Sequence, residues 1–148
     1  MKGNSRIIQA MEGSVLIIED TVHDLSFYRP LFERGAEISF LFVSPDRNAE
    51  KGDLFDSVDL LFGDISRKIK EYAVTDPKNL GEKIGEKGYG LYIFDSLKGL
   101  AEQASSGLPK DRVAFFSSTE SFRNAMAKKG YRTYRKSEIS ELISDFGL

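Results

Sequence analysis

The stretch Gly90-Leu91-Tyr92-Ile93-Phe94-Asp95-Ser96-Leu97 decides how this chain folds. Four apolar residues follow a glycine and end in an acid. An alternating pattern would mark a strand with one wet face. A continuous apolar run marks a strand covered on both faces, as in a parallel sheet flanked by helices. Asp95 then stands at the C-terminal tip of that strand, where open α/β sheets hold their ligands.

Similar runs recur on both sides of it. Ser14-Val15-Leu16-Ile17-Ile18 ends in Glu19-Asp20, and Ile38-Ser39-Phe40-Leu41-Phe42-Val43 is stopped by Ser44-Pro45-Asp46. Val113-Ala114-Phe115-Phe116 is closed by Ser117-Ser118-Thr119, and residues 131–134 form a last short strand. Helical spacing lies between the strands. Thr21-Val22-His23-Asp24 resembles a capping box, with Leu25, Tyr28, Leu31 and Phe32 following at helical intervals. Pro30 restarts or kinks that helix, and Gly35 closes it. Phe122, Ala125 and Met126 mark a helix ending at Gly130. Ser137 caps a final helix that turns Ile139, Leu142 and Ile143 inward. A strand–helix–strand order throughout predicts one α/β domain over residues 1–148, a three-layer, doubly wound, mostly parallel sheet.

The middle is less decided. Asp53 is placed to cap a helix carrying Phe55, Val58, Leu61 and Phe62, but residues 58–62 also fit a short strand, and periodicity leaves both open. Residues 69–74 read as a strand, at an edge because Lys70 and Glu71 interrupt its apolar face. Asp76-Pro77 starts a helix running through Leu80 and Ile84 to a stop at Gly88-Tyr89-Gly90. Residues 97–104 form a short helix, followed by the loop Ser105-Ser106-Gly107-Leu108-Pro109.

Bulk composition removes several functions. A formal net charge of −2 gives no field favouring nucleic acid or an anionic membrane. With 0 cysteines there are no disulfides, thiolate metal sites or cysteine nucleophile, which suits a reducing cytoplasm. The 1 histidine, His23, cannot build a multi-histidine zinc site within one chain. No apolar run approaches the roughly 20 residues of a membrane span. The opening residues lead only to the apolar pair Ile7-Ile8, so no signal peptide is expected.

Two resemblances follow from these residues. Gly13-Ser14-Val15-Leu16-Ile17-Ile18, the segments Leu31-Phe32-Glu33-Arg34-Gly35 and Phe40-Leu41-Phe42-Val43-Ser44, and Leu91 to Leu97 resemble the RecA-like group, and within it the KaiC-like ATPases and their P-loop-less sensory relatives. Asp95 stands at that group's Walker B position. Where the P-loop belongs, this chain has Glu19-Asp20-Thr21-Val22-His23-Asp24. Three carboxylates there repel a triphosphate, and few N–H groups are left to cradle it. The resemblance therefore implies a non-catalytic regulatory, sensory or protein-interaction domain without ATP hydrolysis. It also implies a protein partner, and a homo-oligomer because RecA-like domains often self-associate.

The second resemblance is to response-regulator receiver domains. Those carry an acidic pair after the first strand, a phosphoacceptor Asp after the third, Ser or Thr after the fourth and Lys after the fifth. Glu19-Asp20, Asp95, Ser117 and Lys136 occur in that order. The resemblance implies that Glu19, Asp20 and Asp95 hold Mg²⁺, that Asp95 attacks a phosphoryl donor, and that Ser117 and Lys136 contact the phosphate. The segment between the second strand and Asp95 is longer than a compact receiver needs, and Lys136 is followed by Ser137 where receivers usually have Pro.

Under either resemblance Glu19, Asp20, Asp95 and Ser117 line the C-terminal edge of the sheet. Each also has a plainer role available: Asp95 as a helix cap, and Glu19-Asp20 as the solvated end of a strand. His23 reads as a surface side chain. Gly81, Gly85, Gly88 and Gly90 precede a strand instead of following one, which makes them a helix stop and turn, not a phosphate loop. Lys128, Lys129, Arg132, Arg135 and Lys136 form a basic cluster, most simply a solvated face. Asp145-Phe146-Gly147 matches a kinase tripeptide without kinase context. The apolar tail Phe146-Gly147-Leu148 docks either on its own domain or on a neighbour.

Overall fold

Continuous apolar runs become continuous buried strands. A computed structural model describes residues 14–19, 25–34, 37–43, 58–61, 63, 69–85, 88–95 and 98–148. Among these, six strands form one sheet: β1 (Val15–Glu19), β2 (Ile38–Val43), β3 (Ile69–Thr75), β4 (Leu91–Asp95), β5 (Val113–Phe116) and β6 (Arg132–Tyr134). Every residue of β1, β2, β4 and β5 is buried. The order across the sheet is β3-β2-β1-β4-β5-β6, and every pairing is parallel.

Alternation along the strands divides the core in two. Val15 and Ile17 face one side with Leu91, Ile93, Ala114 and Phe116. They pack under α1 (Arg29–Glu33) and α5 (Ile139–Asp145), which contribute Leu31, Phe32, Ile139, Leu142 and Ile143. Leu16 and Ile18 face the other side with Tyr92, Phe94, Val113 and Phe115. There α2 (Leu80–Gly85), α3 (Lys98–Ser105) and α4 (Glu120–Lys128) bury Leu80, Ile84, Ala101 and Met126. Helices on both faces of a parallel sheet make the three-layer, doubly wound architecture expected from the sequence.

Local chemistry sets the element ends. A 3-10 turn, Leu25–Tyr28, runs directly into α1, and Pro30 sits in the first turn of that helix. Its missing N–H is no loss there, so the proline restarts the helix instead of breaking it. Residues 58–61 are helical, which settles that ambiguity in favour of helix. The edge strand forms as expected, and Asp76 caps the next turn by accepting from Lys78 N–H at 3.0 Å. Helix α2 covers Leu80–Gly85, and Gly88, Tyr89 and Gly90 lie outside any helix, as the expected stop requires. Gly130, at φ 93°, closes α4, with the Gly130 and Tyr131 N–H groups returned to the carbonyls of Ala127 and Met126.

Three expectations need correction. Ser137 does not cap the last helix. It lies inside a 3-10 turn, Lys136–Glu138, and α5 begins at Ile139. The Glu138 carboxylate reaches back instead, accepting from Arg135 N–H at 2.7 Å. Ala125 is exposed, because α4 turns Met126 toward the sheet and only partly buries Phe122. Ser105 is the last residue of α3 and not the start of the loop. The expected capping box at residues 21–24, the stop at 44–46, the cap at Asp53 with Phe55 and Phe62, and the closing Gly35 lie outside the described residues.

The apolar tail docks on its own domain. Phe146 is 1 % exposed, its ring 6.4 Å from that of Tyr134 and capped by the Arg132 guanidinium at 5.1 Å. The Tyr134 hydroxyl donates to Asp145 Oδ2 at 2.8 Å, tying β6 to α5. Burial, and then the Asp145 carboxylate, push the Tyr134 phenol above its usual value of 10.0. A phenol whose folded-state pKa is raised adds stability below the unfolded value and loses it as pH climbs. Tyr134→Phe is therefore expected to cost about 1 kcal/mol at neutral pH. It should also flatten the loss of stability above pH 10, the usual phenol value. Denaturant melts from neutral to alkaline pH check both; an unchanged alkaline limb would count against the Asp145 bond.

Candidate functional site

Strand order alone locates the switch point of the sheet. From β1 the chain steps outward to β2 and β3, then returns to the far side of β1 with β4 and continues outward through β5 and β6. The reversal lies between β1 and β4, and at the C-terminal ends of such a pair the flanking connections part and leave a crevice. The registered residues at that point are Glu19 and Asp95, side by side at the ends of their strands. By alternation both follow Val15, Ile17, Leu91 and Ile93 toward the α1–α5 face. Both are 0 % exposed.

Two side chains converge on the Asp95 carboxylate. Lys136, from the turn after β6, forms an ion pair with Oδ1, and Tyr28, from the turn before α1, donates its hydroxyl to Oδ2. Lys136 is 11 % exposed at the side chain, so this pair lies largely out of water. A buried carboxylate requires such a partner, because an uncompensated one is strongly destabilising. Phe116, the residue of β5 in register with Asp95, forms the floor. Its ring lies 4.7 Å below the Lys136 ammonium and 5.5 Å from the Tyr28 ring. The Phe27 ring meets it edge-on at 6.3 Å and remains partly exposed.

Ser117 follows Phe116 and is 1 % exposed. Its N–H donates to Tyr134 O at 3.0 Å, and its hydroxyl accepts from Thr119 N–H at 3.1 Å. Its carbonyl accepts from Arg123 at 2.8 Å. Ser117 is thus held in the turn that starts α4, at the mouth of the same edge. Asp20 and His23 lie outside the described residues. The structure brings together Glu19, Asp95 and Lys136; Ser117 stands at the same sheet edge with its hydroxyl engaged by Thr119 N–H.

The basic cluster does not form a patch. Lys136 turns inward to Asp95, and Arg132 covers Phe146. Lys129 instead pairs with Glu102 across the opposite helical layer. The solvated-face reading fails for Lys136, because the turn after β6 aims it at the buried Asp95 carboxylate. Gly81 and Gly85 lie within α2, away from any phosphate-binding turn. Tyr28 is the residue that sequence reasoning placed only in the core. Its helical spacing shows burial, while the destination of its hydroxyl depends on how the chain returns to β4.

A carboxylate held at a strand tip by an ammonium and a phenol, with a second carboxylate alongside, has hard oxygen donors for a divalent cation. It also has a fixed positive charge for an anion. Among the described residues, no three acidic or histidine side chains cluster tightly enough to form a metal site by themselves. No helix among them is long and apolar enough to cross a membrane. No protein-family model matches the sequence, and no curated protein is significantly similar to it.

Proposed function

We propose that this chain is a regulatory signalling domain of receiver type that accepts a phosphoryl group on Asp95. The observation carrying this reading is the ion pair between Lys136 and a fully buried Asp95 at the sheet's switch point. The full strand order is the doubly wound order 3-2-1-4-5-6; its inner five strands, β2-β1-β4-β5-β6, run in the flavodoxin-like order 2-1-3-4-5 with Asp95 on the third of them, and this supports the reading. The length excess that separates this sequence from a compact receiver is accommodated by a strand–helix unit, β3 and α2, added beyond β2 at the sheet edge.

The chemistry is a group transfer. An Asp95 oxygen attacks phosphorus, the new O–P bond forms, and the bond to the leaving group breaks with its electron pair. For acetyl phosphate the leaving group is acetate. Ionised carboxylate needs no base. Lys136 offsets charge on the phosphoryl oxygens, and the Ser117 hydroxyl stands at the same edge to meet one of them. Glu19 and Asp95 are suitable oxygen ligands for Mg²⁺, which would neutralise the donor's phosphate charge when bound.

Incubation with Mg²⁺ and acetyl phosphate is expected to add one phosphoryl group by intact-mass spectrometry, and to add none when EDTA is present from the start. Borohydride reduction, which converts an aspartyl phosphate to homoserine, should place it at Asp95, and Asp95→Asn should abolish it. A folded wild type that takes up nothing would sink this reading.

A second reading has its own observation. The strand Ile69–Thr75 supplies the extra strand that a RecA/KaiC-like domain requires between the second strand and Asp95. On that reading the chain is a non-catalytic sensory or interaction domain acting through a protein partner in the cytoplasm, with the Lys136–Asp95 pair as a structural tie. An unlabelled but folded protein would favour it.

A further inference from the structure

Asp95 is fully buried, and both of its oxygens are engaged by named groups. This second fact separates Tyr28 from Lys136. An ammonium on Oδ1 neutralises charge and remains useful once a phosphoryl group arrives. A phenol donating to Oδ2 draws electron density from an oxygen that must attack, and its ring occupies space that a donor must enter. Tyr28 is 0 % exposed and is carried by the 3-10 turn Leu25–Tyr28, which continues into the five-residue helix α1. Its ring rests on Phe116 at 5.5 Å and Phe40 at 6.4 Å, contacts that need no hydroxyl.

We infer that the Tyr28 hydroxyl is a latch on Asp95, restraining the acceptor carboxylate in the resting protein and leaving Oδ2 when the phosphoryl group is transferred. This rests on the receiver-type reading. Tyr28 is a positioning residue whose effect runs through Asp95. It also links the cleft to α1, because a phenol that leaves Oδ2 must shift the turn that carries it. The transfer is the one already written: Asp95 oxygen bonds to phosphorus, and acetate leaves with the electron pair. The Tyr28 proton stays on Tyr28 throughout.

The test is the rate of phosphoryl uptake from acetyl phosphate and Mg²⁺, followed by intact mass, in wild type, Tyr28→Phe and Met126→Ala. Phenylalanine keeps the ring contacts and removes only the bond to Oδ2. Its uptake is expected to be about tenfold faster than wild type, equivalent to about 1.4 kcal/mol of barrier. Met126→Ala loosens the opposite helical layer without touching Asp95 or α1 and should label at the wild-type rate. An unchanged or slower Tyr28→Phe overturns the latch and leaves the receiver-type reading standing. A gain shared by both variants shows general loosening and also overturns it. Failure of every protein to label removes both readings together. Should Tyr28→Phe not fold, hydrogen exchange across residues 25–33 of the wild type decides. Exchange that rises on phosphorylation supports the latch, and unchanged exchange rejects it.

Discussion

Lys136→Met is expected to lower folding stability by about 3–5 kcal/mol, far more than the loss of a surface ion pair. Methionine retains most of the stem's volume, so the cost is electrostatic. The Asp95 side chain is 0 % exposed and that of Lys136 only 11 %, and removing the ammonium leaves a carboxylate in a site with little water to solvate it. The ammonium's contact with the Phe116 ring, at 4.7 Å, is lost as well. The cost should be recoverable. Asp95→Asn added to Lys136→Met removes the orphaned charge and should restore much of the stability, because an uncharged buried pair has no comparable desolvation penalty. Urea melts of wild type, both single variants and the double variant measure this, with equal slopes showing that the unfolded state is unchanged. A cost below about 1 kcal/mol for Lys136→Met would be the behaviour of a solvated pair and would contradict the buried geometry.

The sheet was legible where burial on both faces leaves no choice of residue. Val15–Glu19, Ile38–Val43, Leu91–Asp95 and Val113–Phe116 carry apolar side chains on nearly every position because helices cover each side. The short β6 is legible because Gly130 ends the helical spacing before it, and the edge position of β3 because Lys70 and Glu71 interrupt its apolar face. Helix starts were less legible. Ser137 has the residue type of a cap, but the chain first makes a 3-10 turn that swings Lys136 into the cleft, and Glu138 does the capping.

The site was legible as a set of residue types at strand ends, and less so as geometry. Glu19 and Asp95 were expected on one edge, and register places them side by side. Lys136 reads two ways in the sequence, as a phosphate contact and as one member of a basic cluster. Local sequence does not separate these, since what turns it inward is the carboxylate of Asp95, far earlier in the chain. The contact of Tyr28 with Asp95 spans 67 residues. Its helical spacing shows that the ring is buried and says nothing of the one polar atom that ring carries. A buried tyrosine must find a partner for its hydroxyl, so the signal available was a question about that partner, which the fold answers.

Phe116→Ala is the second large effect expected, at about 3–5 kcal/mol of stability. The ring is fully buried and makes contacts of two kinds. It packs with the Tyr28 and Phe27 rings, at 5.5 and 6.3 Å, and it lies beneath the Lys136 ammonium. Its neighbour Phe115 faces the opposite layer, where it meets Phe94, Phe122 and Tyr131 at 5.0–5.6 Å. Phe115→Ala should therefore cost a similar amount for an unrelated reason. The two are distinguished by combining each with Lys136→Met. Phe115→Ala should add to it within about 0.5 kcal/mol, as separated sites do, whereas Phe116→Ala should fall short of additivity by more than that. The shortfall arises because the contact between ring and ammonium is lost once, whichever partner is removed. Additivity for both phenylalanines would mean that Phe116 fills space under the site without holding Lys136, and the cleft would then depend on the ion pair and the Tyr28 hydroxyl alone.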